Sequence, residues 1–110
     1  MRDYIHVSDL SRAHVDALEY LRRGGASKVF NCGNGRGYSV LEVVHALGRV
    51  TGKDLKAENA ARRPGDPAIV IADASRIRKE FGWTPEYTEL ETILQHELAW
   101  VRSRVQNSMI

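Results

Sequence analysis

Arg62-Arg63-Pro64-Gly65-Asp66 puts two guanidinium groups and a carboxylate on one short loop stiffened by proline. Guanidinium forks match phosphate oxygens bidentately, and a carboxylate accepts hydrogen bonds from sugar hydroxyls, so the loop at 61–67 suits a sugar phosphate or nucleotide. A solvated turn with a surface ion pair accounts for the same residues, because such pairs are common and worth little. A second loop, Gly33-Asn34-Gly35-Arg36-Gly37-Tyr38, lies between a strand-like run and a helix-like one, the right context for a dinucleotide fingerprint. Its spacing is wrong: G-x-G-x-x-G needs a glycine where Tyr38 stands, and no acidic residue closes a βαβ unit behind it. The glycines are read as tight turns and positive φ ahead of a helix cap.

No catalytic set is legible. A carbonyl-reducing enzyme would pair a tyrosine with a lysine one helical turn later, but Tyr4, Tyr20, Tyr38 and Tyr87 are followed at that offset by Ser8, Gly24, Glu42 and Glu91. Ser39 and Cys32 have no base partner in sequence. His6, His14, His45 and His96 fall in separate elements with no second ligand at metal spacing, so no metal site is expected. His14 sits on the apolar stripe of its helix and reads as a core histidine. Arg76, Arg78 and Lys79 read as a solvated helix face, and Trp83 and Trp100 as packing anchors.

The elements that must hold these groups follow from the periodicity. Residues 1–7 alternate as a half-buried strand. Leu10, His14, Ala17, Leu18 and Leu21 mark an amphipathic helix over 8–23, with Ser8 as N-cap and Gly24-Gly25 beyond its end. A buried strand is expected at 28–32 and a helix over 39–51, opened by a Ser39/Glu42 capping box. Residues 55–60 read as a weak edge strand and 69–71 as a brief one. A short helix over 73–81 starts from Asp73, and a final helix over 88–104 from a Thr88/Glu91 capping box, with fraying from Gln106. The expected fold is α/β: one small mixed domain of about four helices and three to four short strands.

Composition bounds the partners. At 110 residues with 43% hydrophobic residues a single modest core is expected. The formal net charge of +2, with both signs interspersed, argues against a nucleic-acid or anionic-membrane binder. One cysteine fits a reducing compartment, and neither a membrane span nor a signal-peptide layout is present, so the reading is soluble and cytoplasmic.

Five segments in order carry a family resemblance: residues 2–10 (Arg2-Asp3-Tyr4-Ile5-His6-Val7 onward), 30–40, 62–68, 72–75 and Phe81-Gly82-Trp83-Thr84-Pro85. Together they resemble the C-terminal part of the UDP-glucose 4-epimerases, in the extended short-chain dehydrogenase/reductase family, from Arg2 to about Arg104. The resemblance implies a C-terminal lobe without its Rossmann domain. In that family the Rossmann domain carries the NAD and the Tyr-x-x-x-Lys pair, and the reaction interconverts UDP-glucose and UDP-galactose through a 4-keto sugar. It further implies that Arg2 faces the diphosphate, Arg63 contacts the phosphates, Asp66 holds the uridine ribose, and Val70 occupies a sugar-pocket position whose bulk governs tolerance of N-acetylated sugars. No catalytic and no cofactor-binding residue is implied for this chain, so it is expected to be inactive alone and to bind no NAD. Its partners would be a UDP-sugar, held weakly, and either a complementing Rossmann-domain chain or a second copy meeting its exposed edge. A free-standing nucleotide- or anion-binding module, or a protein-interaction module, is the alternative.

Overall fold

The computed structural model of the chain describes residues 1–108. Its regular structure is four helices: α1 (Val7–Arg22), α2 (Val40–Thr51), α3 (Ser75–Phe81) and α4 (Leu90–Ser108). They pack as two pairs, α1 with α3 and α2 with α4. In the first pair Ala13, Ala74, Ile77 and Trp83 are buried together, with Ile5, Phe30, Cys32 and Phe81 packed against them. In the second, Ala46 and Leu90 are buried. No helix among the described residues is long and apolar enough to cross a membrane.

The expected strands do not form. Among the described residues β-pairing is limited to two isolated bridges, Arg2 with Tyr38 (antiparallel) and Arg2 with Val70 (parallel). A strand exists only through a partner edge, and the runs at 28–32 and 55–60 find none among the described residues. Residues 28–32 keep the alternation of a strand, with Phe30 and Cys32 turned inward, but lie along α3 instead. There Arg76 Nη1 donates to the Val29 carbonyl (3.2 Å), Lys28 pairs with Glu80 (2.8 Å), and the Phe30 ring meets Phe81 at 4.6 Å. The segment at 1–7 stops short because residue 7 already belongs to α1.

Two caps and the range of the last helix differ from the sequence reading. His6, not Ser8, caps α1: its Nδ1 accepts from the Ser8 backbone N–H at 3.0 Å. α3 begins at Ser75 behind Ala74, while Asp73 accepts from the Ser75 N–H as a local turn. α4 begins at Leu90 and runs through Ser108, past the point where fraying was expected; Met109 and Ile110 lie outside the described residues. The Ser39/Glu42 capping box of α2 is present in both directions, at 2.8 and 3.0 Å.

Packing also inverts the expected face of α1. Asp9 and Ala13 are buried, whereas His14, Leu18 and Leu21 are exposed. Trp83 is an anchor; Trp100 is exposed, with Arg104 over its ring. The molecule is accordingly open. Its radius of gyration is 17.1 Å, against about 13 Å for a compact chain of this length. Its surface of 8476 Å² compares with about 6,100 Å² for a compact monomer of this mass.

The two helix pairs are joined through Asp9. Its fully buried carboxylate accepts from the backbone N–H groups of Glu86 (2.9 Å) and Tyr87 (3.0 Å) and from Arg12 Nη2 (2.7 Å), while its carbonyl accepts from Trp83 Nε1 (3.0 Å). Burial pushes the Asp9 carboxyl up, but the two backbone donors and Arg12 together outweigh it and hold the group below the usual carboxylate range. The folded state therefore binds this proton less readily than the unfolded one. The stabilisation is complete above roughly pH 4, the unfolded value, and is lost as pH falls through the depressed folded value. Asp9→Asn should cost roughly 2–4 kcal/mol at neutral pH, and the deficit should shrink on acidification below about pH 4, as read by urea unfolding followed by far-UV circular dichroism.

Candidate functional site

The candidate site is built on Arg2, where three distant segments meet. Arg2 N–H donates to the Tyr38 carbonyl (2.9 Å) and the Tyr38 N–H to the Arg2 carbonyl (2.8 Å), while the Val70 N–H donates to the Met1 carbonyl (2.9 Å). The backbone of Arg2 is thus gripped from both sides. Its guanidinium reaches the arginine loop, with Nη2 2.5 Å from Asp66 Oδ1 and Nη1 donating to the Met1 carbonyl at 2.8 Å. Arg63 approaches the other oxygen of the same carboxylate, Nη2 to Oδ2 at 3.7 Å, with most of its side chain in solvent. Residues 62–67 line a shallow concavity of about 530 Å³. Arg2, Arg63 and Asp66 therefore share one cluster, and the half-exposed Val70 lies beside it through its bridge to Arg2. Two guanidinium groups around one carboxylate can exchange that carboxylate for phosphate oxygens.

The residue that orders this cluster escaped the sequence reading. The Asp3 carboxylate accepts from the backbone N–H groups of Asn34 (3.0 Å), Gly35 (2.9 Å) and Ala72 (3.3 Å). It ties the first segment to the glycine loop and to the segment after Val70. Successive backbone N–H groups in a glycine loop form an anion cradle, and here the cradle is filled from within. The signal was available, since a carboxylate stands beside Arg2 and a glycine loop has donors to spare.

The same contact explains the glycines better than turn geometry does. Gly35 has a positive φ of 76°, but Gly33 does not, and it is needed for close approach. A Cβ there would lie 2.6 Å from the Ala72 Cβ and 2.7 Å from Asp3 Oδ2. The loop does not fit the pyrophosphate of a dinucleotide such as NAD, because its N–H groups are taken and the group taking them is itself a carboxylate.

The remaining candidates settle elsewhere. His6 and His96, remote in sequence, meet at 2.8 Å between Nε2 and Nδ1, and the His6 ring stacks on Tyr87 at 4.3 Å. Because His6 Nδ1 accepts from Ser8, the neutral ring carries its proton on Nε2 and donates it to His96. Among the described residues no three His, Cys, Asp or Glu side chains gather as a metal site. Cys32 is half-buried, and burial, followed by the charges of Asp9 and Asp3, pushes its thiol up, away from the reactive thiolate.

No family model matches the chain. It is 53% identical over 107 residues to a UDP-glucose 4-epimerase of Azospirillum brasilense, covering 97% of this chain and 31% of that protein. Among solved structures, a UDP-Glc/GlcNAc 4-epimerase from Campylobacter jejuni superposes with a TM-score of 0.81 at 48% identity, over 93% of this chain and 31% of that one. A UDP-glucose 4-epimerase from Stenotrophomonas maltophila, with bound NAD and formylated UDP-arabinopyranose, superposes at 0.87 with 38% identity, over 96% and 31%. The chain thus spans about a third of the length of the relatives it matches.

The Asp3 cradle is open to a direct check. Gly33→Ala should destabilise the chain by roughly 1–3 kcal/mol through overpacking against Ala72 and Asp3, whereas Gly35→Ala has room for its Cβ and is penalised only by its positive φ. Thermal melts compare Gly33→Ala with the parent chain, and an unchanged melting temperature would contradict the close-packed cradle.

Proposed function

We propose that this chain, similar over nearly its whole length to the C-terminal third of UDP-glucose 4-epimerases, is the UDP-sugar-binding part of such an enzyme. The parent reaction interconverts UDP-glucose and UDP-galactose, and the rest of the fold supplies NAD and the catalytic groups. The observation that carries this reading is the gathering of Arg2 and Arg63 about the Asp66 carboxylate, on a loop whose residues 62–67 line an exposed concavity, with Val70 bridged to the backbone of Arg2. A diphosphate suits the two guanidinium groups. The ribose hydroxyls of the attached nucleoside suit the carboxylate released when the arginines turn to phosphate. With about half of a cleft in hand, binding is weak.

Isothermal titration of the chain with UDP should show saturable binding that Arg63→Ala weakens by about tenfold, the size expected for one charge-assisted contact. The purified chain supplied with NAD should not turn over UDP-galactose in a coupled assay. Absence of UDP binding, or turnover without another polypeptide, would each overturn the reading.

The exposed apolar stripe of α1, with Leu18 and Leu21 more than half in solvent, is the docking face for a complementing Rossmann-domain chain. Val70 is a small side chain at the sugar-pocket position, so the completed sugar pocket admits an N-acetylated hexose. Adding the N-terminal two-thirds of the Azospirillum brasilense relative as a separate chain should give a stable complex by size exclusion that converts both UDP-glucose and UDP-N-acetylglucosamine. Conversion of UDP-glucose alone would refute the role given to Val70, and failure to form a complex the role given to α1.

A further inference from the structure

We infer that Asn34-Gly35 is a site of spontaneous deamidation which the Asp3 cradle holds shut, so that opening of the cradle is turned into a permanent covalent change. An asparagine followed by glycine is open to this chemistry because glycine has no Cβ to obstruct its own backbone nitrogen. The Gly35 nitrogen gives up its proton and bonds to the Asn34 Cγ, the Cγ–Nδ2 bond breaks, and Nδ2 leaves with that proton as ammonia. A succinimide ring remains. Water opens it at either carbonyl to give Asp or isoAsp, and no other reagent is needed.

Every atom of that step is restrained in the folded chain. The nucleophile is occupied: Gly35 N–H donates to Asp3 Oδ2 at 2.9 Å, so losing its proton would set a negative nitrogen against a negative carboxylate. The leaving group is tethered, since Asn34 Nδ2 donates to the Tyr4 carbonyl at 2.7 Å and departs only by giving up that bond. Asn34 Oδ1, which takes the negative charge when Cγ is attacked, is buried with no hydrogen-bond donor among the described residues. Nothing there stabilises an oxyanion. The first two restraints come from neighbouring residues of one segment, so both are released when that segment lifts from the glycine loop.

Conversion then prevents the cradle from closing again. A carboxylate at position 34 has no proton to donate to the Tyr4 carbonyl, and it adds a second negative charge beside Asp3. The isoAsp form also inserts a methylene between the two backbone N–H groups that share the Asp3 carboxylate. Because that carboxylate holds the segment carrying Arg2, the change is felt at the Arg2–Asp66 pair.

The test incubates the full chain at mildly alkaline pH, folded and fully unfolded in urea, and follows the tryptic peptide Val29–Arg36 by mass spectrometry for the amide-to-acid change. Asn31, in the same peptide but followed by Cys32, is the internal standard. In urea Asn34 should convert faster than Asn31. In the folded chain it should convert roughly tenfold or more slowly than in urea, the protection of a group that reacts only from a locally opened state. Asp3→Ala and Gly33→Ala, the latter with a Cβ 2.7 Å from Asp3 Oδ2, should each recover most of the unfolded rate while far-UV circular dichroism shows the parent's helix content. In the parent chain, with urea kept below the unfolding transition, conversion should rise in step with hydrogen exchange of the Gly35 amide, a readout that needs no substitution. Equal Asn34 rates in the folded and unfolded chain, or no preference over Asn31 in urea, would overturn the inference. So would folded variants as slow as the parent, or conversion that rises only with loss of helix.

Discussion

Two carboxylates do in this molecule what a β-sheet does in most α/β domains: they collect backbone N–H groups from segments far apart in sequence. The buried one, Asp9, matters most. It takes two backbone donors from the turn ahead of α4 and a guanidinium from its own helix, and its carbonyl takes the indole of the most deeply buried large side chain, Trp83. A carboxylate removed from water is costly unless each lone pair is used, and here the protein supplies the donors that water would have supplied. The α1–α3 pair and the α2–α4 pair touch little else of each other, apart from the His6–His96 hydrogen bond. The satisfied Asp9 charge is therefore the buried link between them, alongside the His6–Tyr87 stack and the Arg2 and Asp3 contacts to the segment ahead of α2.

Asp3 repeats the device nearer the surface. By gathering N–H groups from the glycine loop and from Ala72, it fixes the segment that carries Arg2 between Tyr38 and Val70. The Arg2–Asp66 cluster is thus positioned by its sequence neighbour rather than by a regular element. That arrangement accounts for the glycines without a dinucleotide: Gly33 leaves room for the carboxylate, and Gly35 offers its N–H from a left-handed turn. It also separates two anion-binding features that look alike in sequence. The glycine loop has its anion already in Asp3, while the arginine loop holds Asp66 in an ion pair with Arg2 that is about one-third exposed, at 34%.

The openness of the chain belongs to the same account. A radius of gyration and a surface well above those of a compact chain, an apolar helix stripe in solvent and a strand-like segment at 28–32 without β-pairing among the described residues all leave apolar surface uncovered. The relatives it matches are about three times as long, and the TM-scores show that this third keeps its shape within theirs. Local helix pairing and two satisfied carboxylates suffice to hold that shape, but not to bury the apolar faces.

What was legible in the sequence was local. The helical periods, the Ser39/Glu42 box and the short spacing of Arg63 and Asp66 all act within a turn or two of chain, so residue order alone determined them. The strands, the buried face of α1 and the carboxylate cradles were decided by tertiary structure, because each depends on partners that sequence order does not reveal. Asp3 reaches Ala72 across 69 residues, Asp9 reaches Tyr87 across 78, and His6 reaches His96 across 90. An alternating run becomes a strand only beside another edge, and a stripe becomes buried only against another surface. The sequence of this protein placed two arginines and an aspartate on one short loop; only the fold decided that Arg2, remote in the chain, would pair with that aspartate and that the neighbouring Asp3 would hold its segment in place.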